Sequence, residues 1–351
     1  MTIGAMPRIK TTVKAGPGQV ELTEVDLPGP GPGQALVRTT LTTVCGSDLH
    51  MVDSIPQVPV GKPQGHEAIG IVEAVGEGVE RIKVGDRVVT SCLLGCGHCY
   101  VCMAGDQSMC RTYKAPLNVI WGCQSEAYII NSADFNMLRV PDALTDKQAM
   151  FAGDIMSTGF AASERGGLKP GQTVAIFAQG PVGLCATAGA KYYGAGRIIV
   201  VESIPERVEM AKRLGATDVI PPADVVARIR ELTEGRGVDL AIEALGKEET
   251  FSAAFKVIRP GGTVSSVGVY AGVPELKIPT NIPTFSQFSV VTSMCPGGPK
   301  RLAYLMGLME SGKVDLTPLW THERKLSDIS NVYEMFRKRQ DGALKIAVSV
   351  D

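Results

Sequence analysis

Along the second half of the chain, short apolar runs alternate with stretches of helical period. Residues 173–177 and 197–201 are apolar at nearly every position, as strands covered on both faces are. Residues 181–193 and 205–214 follow them, and each stretch opens with a proline, which a first helical turn tolerates. The pattern predicts further helices over 224–233 and 248–258 and further strands over 238–244 and 263–269. It predicts one more strand over 288–294 and a helix over 300–311. Strand and helix alternating at this spacing imply parallel βαβ units and an open, doubly wound sheet. Before about Asp154 the pattern differs. Alternating stretches beginning at Gln34 and Ala68 are separated by turn signals at Gly29–Gly33, Gly76–Gly78 and Gly85-Asp86, which predicts a β-rich domain. The tail adds a strand over 343–350 that is expected to return to that first domain. The result is an α/β chain in two domains, 1–155 with 298–351, and 156–297.

Length supports the division, because 351 residues exceed what one core usually serves. Hydrophobic residues make up 44% and charged residues 20%, ordinary values for a globular chain. A formal net charge of −1, with no block of like charges, argues against a nucleic-acid or anionic-membrane partner. The apolar runs are too short to cross a bilayer, and the first ten residues lack the apolar segment of a secretory signal. A cytoplasmic protein is expected. In a reducing compartment, clustered cysteines more often bind metal or do chemistry than form disulfides. Five of the nine cysteines lie between Cys92 and Cys110.

The predicted strand 173–177 runs into Ala178-Gln-Gly180-Pro181-Val182-Gly183 and then a helix. This is the Rossmann dinucleotide fingerprint with alanine at its first glycine position. Backbone N–H groups and the helix dipole can hold a pyrophosphate there. Gly180 allows close approach of phosphates, and Gly183 lets helix pack on strand. Glu202 ends the next strand, roughly 20 residues on, where a carboxylate accepts hydrogen bonds from the adenosine ribose. A carboxylate there also repels a 2′-phosphate, so NAD is expected rather than NADP.

Cys96-x2-Cys99-x2-Cys102-x7-Cys110 gives four thiolates, the donor set of a closed, structural zinc site. Cys92 and His98 are additional candidates for that site. Two further segments, Cys45-Gly-Ser47-Asp48-Leu-His50 and Gly65-His66-Glu67, bring a thiol, imidazoles and carboxylates. A thiolate, an imidazole and a carboxylate suit a zinc that keeps one position open for chemistry.

Together these segments resemble the zinc-dependent medium-chain alcohol dehydrogenases from about residue 8 to the end, most nearly the bacterial secondary-alcohol enzymes. The resemblance implies a GroES-like catalytic domain beside the Rossmann domain. It also implies a catalytic zinc held by Cys45, His66 and Asp154, with Glu67 nearby and Asp48 orienting His66. Ser47 would take the alcohol proton and pass it on through His50. Val267 and Val269 would meet the nicotinamide, and Lys345 the pyrophosphate. Cys92, Leu93, Trp121, Val269, Met294 and Cys295 would line a largely apolar pocket. The implied activity is hydride transfer between NAD and an alcohol or ketone, with secondary alcohols favoured and a homotetrameric assembly. An aldehyde or primary-alcohol dehydrogenase is the nearest alternative. A catalytically silent nucleotide-binding protein and a zinc-dependent nucleic-acid binder are more remote.

Overall fold

The computed structural model describes residues 8–55, 58–113, 118–278 and 287–350. The chain forms two compact units, Met1–Ser157 with Cys295–Asp351, and Thr158–Met294.

In the first unit, strands Ala35–Thr42, Ala68–Val75, Arg87–Thr90 and Met137–Arg139 run antiparallel in that order. Ala127–Ile130 also pairs with Ala35–Thr42. Side chains such as Val37, Val72, Val88, Tyr128 and Ile130 point to one face and make a core. The tail completes this sheet: Lys345–Ser349 pairs with Ala35–Thr42, placing Val348 opposite Thr42, and carries Trp320–Lys325 on its other edge. Helix Ile329–Lys338 buries Val332 and Tyr333 beside Val44 and Val52, which fixes the loop that follows Ala35–Thr42. Residues 295–297 belong to this unit, and Ser157 Oγ donates to Pro296 O at 2.6 Å.

Among its described residues, the second unit holds a six-stranded parallel sheet. Its order is Asp218–Ile220, Arg197–Val201, Thr173–Phe177, Val238–Glu243, Ile258–Ser266 and Ser289–Thr292. All five residues of Thr173–Phe177 are buried, as expected of a strand covered on both faces. The expected strand 263–269 starts earlier and stops at Ser266, where its partner ends at Glu243, so Val267, Gly268 and Val269 leave the sheet. The helix expected over 224–233 is Val225–Leu232, because Asp224 takes a left-handed conformation at φ 54°. No helix among the described residues is long and apolar enough to cross a membrane.

Candidate metal centres and the cofactor turn

Cys45 sits where the backbone leaves strand Ala35–Thr42 and begins helix Gly46–Asp53. It is the N-cap, and Asp48 in the first turn accepts a hydrogen bond from its backbone N–H at 2.9 Å. Ser47 and His50, three apart, share a face of this helix, and both are half-buried. His66 is placed by the residue before it. Gly65 has φ +91°, and a Cβ there would lie 2.5 Å from Gln124 N, so the backbone turn that presents His66 requires glycine. Asp154 closes helix Asp146–Gly153.

These segments converge. One atom from each of Cys45, His66, Glu67 and Asp154 lies within 4.8 Å of the others. Asp154 Oδ2 is 3.6 Å from Cys45 Sγ and 3.4 Å from His66 Nε2, and Ser47 Oγ lies 3.2 Å from that same Nε2. On the far side of the imidazole, Nδ1 is 2.9 Å from Asp48 Oδ1. Asp48 is braced in turn by Gln124 Nε2 at 3.2 Å, and Tyr333 O–H donates to Gln124 Oε1 at 2.9 Å. Neither Gln124 nor Tyr333 belongs to a motif that marks it in the sequence.

The buried groups of this cluster shift one another's protonation. Burial pulls the imidazole of His66 down, yet Asp48, Asp154 and Cys45 outweigh it and hold it well above its usual range. Burial also disfavours the Asp154 carboxylate, but His66 and Lys345 hold its pKa below the ordinary carboxylate value. Burial and the Asp154 charge push the Cys45 thiol up. Glu67 Oε2 is buried with no hydrogen-bond partner. A thiol, an imidazole and carboxylates gathered out of water, with one oxygen left unpaired, fit a divalent zinc ion.

Lys345 corrects an expectation. It was assigned to a cofactor pyrophosphate, but its side chain is 0% exposed and its Nζ lies 2.5 Å from Glu67 Oε1. A lysine on a strand that faces its own core is held by the carboxylate beside it, so its ammonium is engaged within its own unit.

The four-cysteine segment also closes on itself. Sulfur atoms of Cys96, Cys99, Cys102 and Cys110 lie within 4.8 Å of one another. Backbone N–H groups of Cys96 and Cys99 donate to Cys110 Sγ and Cys96 Sγ, each at 3.4 Å. Burial opposes ionisation of Cys96, but hydrogen bonds from Thr112, His98 and Cys99 bring its thiol down to about 5. By contrast, burial carries Cys102 up to about 12. His98 is not part of this cluster, and its Nδ1 lies 3.0 Å from Cys96 O. Cys92 is also outside this cluster.

In the second unit, Gly180 caps helix Pro181–Tyr192 with Pro181 in its first turn. A Cβ on Gly183 would lie 2.0 Å from Ala178 O, so only glycine lets helix and turn pack. Val182 lies between these positions in the first turn of the helix. Glu202 follows strand Arg197–Val201 and accepts from Gln179 N at 3.1 Å, Ser203 N at 2.8 Å and Ile204 N at 3.1 Å. The fingerprint turn and its downstream carboxylate are therefore adjacent. Sequence reasoning missed Glu243, which is fully buried and accepts from Leu245 N and Gly246 N, each at 2.9 Å, and from Tyr270 O–H at 2.7 Å. It anchors the loops after two neighbouring strands.

Residues 31–142 match the alcohol dehydrogenase GroES-like domain, and residues 181–311 match the zinc-binding dehydrogenase family. An alcohol dehydrogenase of Cupriavidus necator is 40% identical over 359 residues, covering 97% of this chain and 98% of the relative. The chain belongs to the zinc-dependent medium-chain alcohol dehydrogenases. An NADP-dependent isopropanol dehydrogenase of Thermoanaerobacter brockii is 34% identical over 94% of this chain and 97% of its own. Among solved structures, zinc dependent alcohol dehydrogenase 2 from Streptococcus pneumonia in its apo form superposes with TM-score 0.91 at 34% identity, covering 98% of this chain and 99% of that one. The alcohol dehydrogenase from Thermus sp. ATN1 superposes with TM-score 0.88 at 33% identity, covering 97% and 100%. The chain is thus a zinc-dependent oxidoreductase of alcohols and their carbonyl partners.

For this dehydrogenase the expected pocket residues divide between the units. Cys92, Leu93 and Cys295 are buried in one apolar cluster with Met51, Val58 and Val119, and Trp121 packs against it. Met294 and Val269 belong to the other unit and are 37% and 41% exposed there.

Proposed function

We propose that this dehydrogenase interconverts secondary alcohols and ketones with NAD, using a catalytic zinc held by Cys45, His66 and Asp154 and a structural zinc held by Cys96, Cys99, Cys102 and Cys110. The observation that carries the reading is the convergence of Cys45, His66 and Asp154 on one buried point, with Glu67 beside them. Three protein donors leave a tetrahedral ion one position, whereas four cysteines leave none. A zinc in the three-donor site supplies a Lewis acid for the substrate oxygen.

The chain's own groups supply the rest. Asp48, braced by Gln124, fixes the orientation of His66 and directs its Nε2 toward Cys45 and Asp154. Lys345 neutralises Glu67 and holds one of its oxygens in place. Ser47 Oγ, adjacent to the donor set, accepts the proton of the alcohol, and His50 one turn along the same helix face carries it outward. Burial lowers the pKa of His50, which favours the neutral ring that a proton carrier needs at neutral pH. The turn at Gly180–Gly183 holds the cofactor pyrophosphate, and Glu202 its ribose. Glu202 disfavours a 2′-phosphate, which supports NAD. Arg207 Nη1, 3.9 Å from Glu202, is the feature that would favour NADP.

The apolar cluster around Leu93 and Trp121 suits an alkyl substrate more than a polyol, and the isopropanol activity named for the Thermoanaerobacter relative supports a secondary alcohol. By the same kinship we assign a homotetramer working in the cytoplasm. Asp154→Ala decides the central assignment. The variant should keep one zinc per chain, lose the other, and fall by at least about a hundredfold in kcat/KM. A variant with both zincs and full activity refutes the ligand set. Profiling 2-propanol against ethanol and sorbitol, with each cofactor, checks the substrate and NAD assignments.

A further inference from the structure

Asp154 serves more than one set of donors. Its Oδ2 faces Cys45 and His66, while its Oδ1 lies 3.4 Å from Cys92 Sγ. Cys295 comes to the same place from a distant part of the chain, its Sγ 3.5 Å from Asp154 O and 3.9 Å from Gly153 O. One donor atom from each of Cys92, Asp154 and Cys295 lies within 4.8 Å of the others, and all three residues are buried. The backbone holds this arrangement, because Cys92 N donates to Gly153 O at 3.0 Å. Cys92 and Cys295 share an apolar cluster with Met51, Val58, Leu93 and Val119.

We infer that Cys92, Asp154 and Cys295 form a second, inhibitory site for a soft divalent cation, sharing Asp154 with the catalytic zinc site. Two sulfurs and a carboxylate select a thiophilic ion such as excess zinc or cadmium over magnesium or calcium. Binding forms two metal–sulfur bonds and releases the two thiol protons to solvent, and no electrons move. The bound ion would take Asp154 Oδ1 and fill the space between two walls of the substrate cluster, so occupancy and turnover exclude each other. Only this inhibitory consequence rests on the catalytic reading of Asp154; the site itself rests on the three side chains.

The test starts from the protein as isolated with its zinc. It is titrated with cadmium ions alone, and read by total metal per chain and by the ultraviolet absorbance of cadmium–thiolate bonds. One equivalent beyond the resident zinc should bind and produce that absorbance. Cys92→Ser and Cys295→Ser should each weaken the added equivalent by about tenfold or more. Both should retain the resident zinc, which shows that they remain folded. Wild-type protein that takes up no further thiolate-bound ion overturns the site, as do two serine variants that bind it as tightly as wild type. A chain isolated with only the four-cysteine ion instead refutes the catalytic reading, so the two failures are distinguishable.

Discussion

Ala178 has φ 71°, in the left-handed region that disfavours a side chain, at the position where the dinucleotide fingerprint carries glycine. The turn imposes that geometry because strand Thr173–Phe177 must reverse tightly into helix Pro181–Tyr192. Ala178→Gly removes the strain and should stabilise the protein by about 1 kcal/mol net of the extra freedom glycine has when unfolded. Thermal denaturation should register that as a rise of roughly 1–2 °C, and an unchanged or lower midpoint contradicts the argument. Lys345 carries a larger consequence. Lys345→Met leaves Glu67 buried without its cation and should cost about 3–5 kcal/mol in denaturant unfolding, while adding Glu67→Gln should restore part of the loss. Stability indistinguishable from wild type would mean the pair contributes nothing. The proposed donors Cys45 and His66 stood out because a thiol and an imidazole in short motifs are chemically conspicuous, whereas Asp154 came from the family resemblance alone. Lys345 was expected at the pyrophosphate from family resemblance, which does not reveal the buried Glu67 that its strand register sets beside it. Gln124 and Tyr333 were invisible, since they act through hydrogen bonds that close only when distant segments meet.

At the scale of elements, strands buried on both faces and helices opened by proline were legible almost to the residue, as at 173–177, 197–201 and 205–214. Asp218–Ile220 was not, because three residues carry no periodicity and only pairing with Arg197–Val201 makes them a strand. The same edge predicts acid sensitivity. Arg197 grips Asp218 through two hydrogen bonds of 2.8 Å and holds its pKa below the ordinary value. Burial opposes ionisation of Asp239, but Arg259 and the backbone of Thr173 lower its pKa overall. A carboxyl depressed in the folded state stabilises the fold above its unfolded pKa and loses that contribution as pH falls through its folded value. The second unit should therefore weaken progressively below about pH 4. Asp218→Asn should flatten that acid limb in a series of thermal melts, and an identical pH profile would rule the pair out as its cause. The cysteine lobe makes a different prediction. Cys110→Ser should lose one zinc and expose residues 95–112 to protease, since the sulfurs rather than apolar packing close that loop.

For the whole molecule, chemistry and coenzyme binding are assigned to separate compact units. Every proposed metal donor, Cys295 included, lies in the unit that includes the tail, whereas Gly180, Gly183 and Glu202 lie in Thr158–Met294. The second unit has its own core, built on residues such as Phe177, Val201, Ala241, Phe255 and Val264, and its described strands form a sheet of their own. The turn proposed to hold the phosphates is shaped by backbone geometry at Ala178, Gly180 and Gly183, none of which carries a metal-ligating side chain. The two functions should therefore part under chelation. Removal of the catalytic zinc should reduce turnover by at least about a hundredfold, because the Lewis acid is gone. NADH fluorescence titration of the same sample should give a Kd within about threefold of the metal-replete value, less than 1 kcal/mol of change. Restoring zinc should return activity without altering that constant. Loss of NADH binding in step with the metal would show that the turn depends on the donor site, against the independence of the two cores.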